Sequence, residues 1–131
     1  MRHVLLWLLL LVTSADAKDL GQWEKGDPVI RQWYRGLMRP DNPTVSCCGE
    51  ADAYWCDDVR VRNGSTFCRI TDTRPNEPLG RRPVDIGTEF YIPDRALKWD
   101  EGNPTGHVIV FLVHGFGGFK TVVCFVHFTG T

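Results

Sequence analysis

The chain has 131 residues, a net charge of −1, and 24% charged and 43% hydrophobic residues, the make-up of one ordinary folded domain. The balanced charge gives no electrostatic reason to expect nucleic-acid binding and no sign of a polybasic membrane patch. The cysteine count of five is odd, so full pairing within one chain leaves one thiol over.

In chain order, a basic start at Met1, Arg2 and His3 precedes an apolar run over residues 4–12 and an Ala-x-Ala pattern at Ala15 and Ala17. This is the layout of a secretory signal peptide cut after Ala17. The apolar run is well short of the ~18–20 residues that a membrane-spanning helix needs. The sequence therefore predicts residues 1–17 as signal peptide and residues 18–131 as a single β-rich domain. Its location is periplasmic or secreted, with no membrane span after cleavage. All the cysteines lie in the mature part, where such compartments oxidise thiols.

Asp27 followed by Pro28 is a helix start, with Asp as N-cap and Pro at the first helical position. The spacing predicts an amphipathic helix over about residues 28–38, with Val29, Ile30, Trp33, Leu37 and Met38 as its apolar stripe. Trp33 is read as core. Pro40 ends the helix, and Asp41, Asn42 and Pro43 make a turn.

Residues 46–58 are the densest stretch in reactive groups. They contain Cys47, Cys48, Cys56, Glu50, Asp52, Asp57, Asp58, Tyr54 and Trp55. A hairpin follows, with strands over residues 54–62 and 66–71 around Asn63-Gly64, a strong two-residue turn signal. That turn places Arg62 opposite Ser65, Val59 opposite Cys68 and Asp58 opposite Arg69. One face then carries Val59, Val61, Cys68 and Ile70, and the other Asp58, Arg60, Arg62 and Arg69. In this register Cys56 faces Thr71, roughly 10 Å along the strand from Cys68. A Cys56–Cys68 disulfide therefore needs a bulge, or a Cys56 that lies before the strand.

Residues 71–83 read as a stiff proline-rich surface connector; Arg74, Arg81 and Arg82 also suit an arm over an anion. A short strand over residues 87–93, a helical turn over 94–99 and a turn-rich loop over 100–106 come next. Residues 107–113 and 121–128 are strands, joined by the glycine-rich segment 114–119. The sum is a mainly β (α+β) fold: a small antiparallel sheet or open barrel of about five strands with one N-terminal amphipathic helix, stapled by disulfides.

The run Ser46-Cys47-Cys48-Gly49-Glu50-Ala51-Asp52-Ala53-Tyr54-Trp55 resembles a family of small uncharacterised secreted bacterial proteins. Asp72-Thr73-Arg74, Pro78-Leu79-Gly80-Arg81, Lys98-Trp99-Asp100 and Gly102-Asn103-Pro104-Thr105-Gly106-His107 extend the resemblance over most of residues 33–113. The family pattern includes Cys47, Cys48 and a last-strand cysteine, Cys124 here, and the simplest pairing staples Cys47 or Cys48 to Cys124. Cys56 and Cys68 look like additions to that pattern, which would make them a second bridge of this chain. The other adjacent cysteine pairs with Cys56 or Cys68 or stays free. It brings no activity.

Chemistry leaves two readings. A disulfide-stabilised binding or structural module would recognise a small ligand or an envelope protein partner near Glu50, Asp52, Tyr54, Trp55 and His107, with Trp99 adding aromatic surface. A small envelope enzyme, thiol-dependent or hydrolytic, would use Cys47 or Cys48 with His107, oriented by Glu50, Asp52 or Asp100. No nucleophile signature supports the second. The acidic residues lack calcium-loop order, and His107, His114 and His127 lack zinc spacing, so no metal and no cofactor is expected. Glu50 with Asp52 or Asp100 as glycosidase carboxylates is weaker than a solvated acidic surface. The non-enzymatic module is the reading the sequence favours.

Overall fold

The computed structural model describes residues 27–99 and 102–128. The expected signal peptide over residues 1–17 and Asp100 lie outside the described residues. Within them the protein is mainly β: seven strands in two open sheets, one α-helix and two disulfides.

Helix α1 spans Pro28–Gly36, and the Asp27 carboxylate caps it by accepting from the Val29 N–H at 2.8 Å. The face it buries differs from the expected stripe. Tyr34 and Leu37 are buried and Ile30 and Trp33 pack beside them, whereas Val29 is 65% exposed. Residues 30, 33, 34 and 37 follow helical spacing more closely; Tyr34 is amphipathic, and hydropathy alone does not assign it to the core.

The expected strand over residues 54–62 is two strands. β1 (Ala53–Trp55) and β2 (Asp58–Arg62) belong to different sheets, and the chain changes sheet at Cys56 and Asp57. β3 (Ser65–Arg69) and β4 (Glu89–Ile92) complete a three-stranded sheet in the order β2-β3-β4. The Asn63-Gly64 hairpin has the expected register, from Arg62 opposite Ser65 to Asp58 opposite Arg69. Its turn holds Asn63 at φ 52° and Gly64 at φ 78°, the left-handed pair that matches strand twist. Val61, expected on the apolar face, is 69% exposed and is not among the side chains packed against the core that Cys68 and Ile70 join.

The central sheet has four strands in the order β1-β6-β7-β5: β5 (Leu97–Lys98), β6 (Ile109–His114) and β7 (Lys120–Val126) join β1. β5 pairs parallel to β7, and the other pairs are antiparallel. A register shift between Phe111 and Leu112 leaves Val123 as the extra residue on β7. That bulge puts Val123 and Cys124 on the same side, with α1.

The central sheet therefore separates two cores. Ala53, Ile109, Phe111, Cys124 and Val126 meet α1 on one face. Tyr54, Val110, Leu112 and Phe125 meet the second sheet through Cys68, Ile70 and Ile92 on the other. Each core has its own staple. Cys47–Cys124 closes 77 residues on the helix side, and Cys56–Cys68 closes 12 between the sheets. Cys56 can reach Cys68, at a Cα separation of 5.6 Å, because it precedes β2.

Candidate functional site

One end of the central sheet gathers the aromatic and imidazole side chains. Trp55 ends β1, His107 precedes β6, His127 follows β7 and Trp99 follows β5. His107 stacks on Trp55, with ring centroids 3.7 Å apart and 9° between planes. His127 stacks on Trp99 at 4.2 Å and 6°, and meets Phe125 edge-on. Asn103, 7% exposed, sits between the two pairs. Its side-chain amide donates to the carbonyls of His107 (2.9 Å) and His127 (3.2 Å), and its Oδ1 accepts from the Thr105 N–H and hydroxyl. The Gly-Asn-Pro-Thr-Gly-His run is thus an Asx turn that locks the start of β6 to the end of β7. It fixes where His107 stands.

The His107 ring is held at a second point. Its Nδ1 lies 2.7 Å from Asp57 Oδ2, while Asp57 Oδ1 accepts from the Val108 N–H at 2.8 Å. Thr71 donates its hydroxyl to the same carboxylate and accepts from the Asp57 N–H. The carboxylate places the imidazole proton on Nδ1, an assignment made from the network. None of the described hydrogen bonds uses Nε2. The ring is one-third exposed. An imidazole fixed by stacking and by a carboxylate is preorganised to exchange a proton or a hydrogen bond through its other nitrogen.

Arg74 is the hub beneath this pair. Its guanidinium lies 4.6 Å from the Trp55 ring centroid, 2.8 Å from Asp72 and 3.6 Å from Glu50. Asp72 also binds Arg81, with both side chains nearly inaccessible, and accepts from the Trp55 N–H at 3.0 Å. Arg81 continues to the carbonyls of Ala53 and Arg74. Burial works to raise the Asp72 pKa, but hydrogen bonds from Arg74 and Arg81 outweigh it and hold the carboxyl at about 2. Burial raises Glu50 above the usual carboxylate range, against the pull of Arg74, Arg81 and Arg31. It also pushes Tyr34 up to about 12. The connector of residues 71–83 is therefore pinned by a buried ionic network, and Arg74 and Arg81 serve that network. Arg82 stays exposed.

The structure brings Glu50, Trp55 and His107 to the helix side of the central sheet, linked through Arg74. Tyr54 alternates to the other face. It is 1% exposed, donates to the Arg82 carbonyl and lies 3.4 Å from His114 Nε2. Asp52 bears electrostatically on Tyr54 and His114, so the two carboxylates of the 3-10 turn Glu50–Asp52 answer to different neighbours. Burial, then Arg82 and Lys120, lower the His114 pKa, and burial lowers that of His127. Sequence reasoning missed Asp57 as the partner of His107, and it missed Asp72. The first pair is fifty positions apart, and only the fold brings them together.

The cysteines are settled by backbone direction. Cys48 has φ 85° and Gly49 φ 80°, a left-handed step that sends the Cys47 side chain inward to Cys124 and the Cys48 side chain outward. Cys48 is the free, exposed cysteine. Its Sγ lies 3.8 Å from Arg39 and 3.7 Å from the Ser46 carbonyl, and no described hydrogen bond joins it to His107. Among the described residues no three of His, Cys, Asp and Glu gather in a group able to hold a metal ion, and no helix is long and apolar enough to cross a membrane. No protein-family model, curated protein or solved structure matches the chain.

Proposed function

We propose that this is an exported, disulfide-stapled binding domain, of the small secreted bacterial type that its cysteine motif resembles. Its site is the rim at Trp55 and His107, bordered by Glu50 and Asp57, with Asp52 and Tyr54 as support behind it. The observation that carries this reading is the doubly held His107 ring. Stacking on Trp55 and the 2.7 Å contact to Asp57 fix it before any ligand arrives, and preorganised groups gain affinity by losing little entropy on binding. Two disulfides in a small domain support a thiol-oxidising compartment. The ligand is a small molecule or an envelope partner that offers a donor to Nε2. The test is ¹H–¹⁵N NMR of the mature protein against glycan fragments and short peptides. Binding shifts that cluster at Trp55, His107 and Arg74 and vanish in His107→Ala support the site; saturable shifts confined to other surfaces overturn it.

The Asp57–His107 pair also favours a second reading, an envelope enzyme with His107 as general base. Cys47 cannot serve as its nucleophile, being closed in a disulfide. Cys48 would need to approach His107. A single fast-reacting thiol at low pH, mapped to Cys48 and slowed by His107→Ala, would favour the enzyme; an ordinary thiol rate unchanged in that variant favours the binding domain.

A further inference from the structure

The β6–β7 hairpin ends in a feature that the packing does not explain. Phe116 is 100% exposed and Phe119 is 78% exposed, on a tip of four residues that also holds Gly117 and Gly118. The tip is ordered by its backbone. Gly115 N–H donates to the Phe119 carbonyl at 2.7 Å, closing the neck, and Gly117 and Gly118 take φ 70° and 79°. Those left-handed angles turn the chain sharply with no side chain to shield the rings. At the base of the tip His114 pairs with Lys120, and the Tyr54 hydroxyl ties His114 to the Arg82 backbone. Lys120 and Arg82 are exposed and both act electrostatically on His114; Asp52 acts on it with the opposite sign. Two cations thus stand against one carboxylate behind two bare aromatic rings.

We propose that the Phe116–Phe119 tip inserts into the headgroup region of an anionic lipid bilayer, with Lys120 and Arg82 contacting lipid phosphates. The tip is convex and narrow. A protein partner would find only two rings there, far short of the ~800 Å² per partner of a standard interface. A bilayer closes around a small protrusion and accepts Phe at the headgroup boundary, and its negative surface attracts nearby Lys and Arg. The tip lies at the opposite end of β6 from His107, so membrane contact leaves the Trp55–His107 rim open, and the proposal stands whether or not that rim binds a ligand.

The test uses the mature, disulfide-intact protein and sedimentation with vesicles of pure phosphatidylcholine and of an equimolar phosphatidylcholine–phosphatidylglycerol mixture. The wild type is expected to co-sediment with the mixed vesicles and weakly with the neutral ones. Phe116→Ala lowers the partition coefficient about tenfold, the order of one exposed ring's transfer from water. Lys120→Ala and Arg82→Ala each lower it about fivefold on the mixed vesicles alone. Exposed side chains make these substitutions compatible with folding, which circular dichroism checks. Failure of the wild type to bind mixed vesicles overturns the proposal, as does equal binding by a Phe116→Ala/Phe119→Ala variant. Concentration-dependent dimerisation that the double variant abolishes, without vesicle binding, overturns it in favour of a second copy of this chain.

Discussion

Asp72 offers the sharpest test of how this fold is held. Its carboxylate accepts from the Trp55 and Arg74 N–H groups and from the guanidiniums of Arg74 and Arg81, with only 2% of its side chain exposed. The folded-state pKa falls from the usual 3.8 to about 2. That difference makes ionised Asp72 worth about 2 kcal/mol of stability at neutral pH. The sign follows from a depressed pKa: the contribution is complete above about pH 4 and is lost as pH falls towards about pH 2. Asp72→Asn removes the charge and leaves Arg81, 1% exposed, as a buried cation without its carboxylate. Breaking a buried pair from one side costs about 3–5 kcal/mol. Urea unfolding under non-reducing conditions, followed by circular dichroism, measures it. The variant is expected to lose about 3 kcal/mol at about pH 7, and the gap from wild type is expected to narrow by about 2 kcal/mol near pH 2. A loss under about 1 kcal/mol, or a gap that does not change with pH, would refute the argument that this network anchors the connector to β1.

Three further outcomes are expected. Replacing both Cys47 and Cys124 by Ala, which opens a loop of 77 residues, costs about 4–5 kcal/mol in the chain-entropy account, against about 3 kcal/mol for Cys56 and Cys68 with 12 residues; denaturant midpoints of the two double variants give the order. Asn103→Asp places an acceptor where the amide donates to two carbonyls, so it is expected to destabilise by more than the about 2 kcal/mol of Asn103→Ala, and thermal melts compare them. Titration of the native protein with a chromogenic disulfide reagent is expected to find one reactive thiol per chain and none in Cys48→Ser, because the other cysteines are buried in disulfides; a second thiol without denaturant contradicts the pairing.

The two opening predictions of local structure were legible because their causes are local. Asp27-Pro28 starts a helix by capping chemistry that involves adjacent residues, and Asn63-Gly64 fixes a hairpin register through two backbone angles. The Gly-Asn-Pro-Thr-Gly-His run was visible as a motif but not as a clamp, since the His127 carbonyl it holds lies 24 residues away.

From its own order of residues the chain determined a mainly β fold, one capped helix, one hairpin register and a cysteine-rich centre, because these follow from patterns a few residues long. The division of residues 54–62 between two sheets was decided by packing: the alternation of Val59 and Val61 with Arg60 and Arg62 stops at Asp57-Asp58, but only the cores on either side of the central sheet set which sheet each half joins. The same holds for the site. Asp57 meets His107 across fifty positions, and Arg81 meets Asp72 inside a connector that reads as surface. Charged and polar side chains of that kind carry no periodic signal, so their partners exist only once the sheets have closed around them.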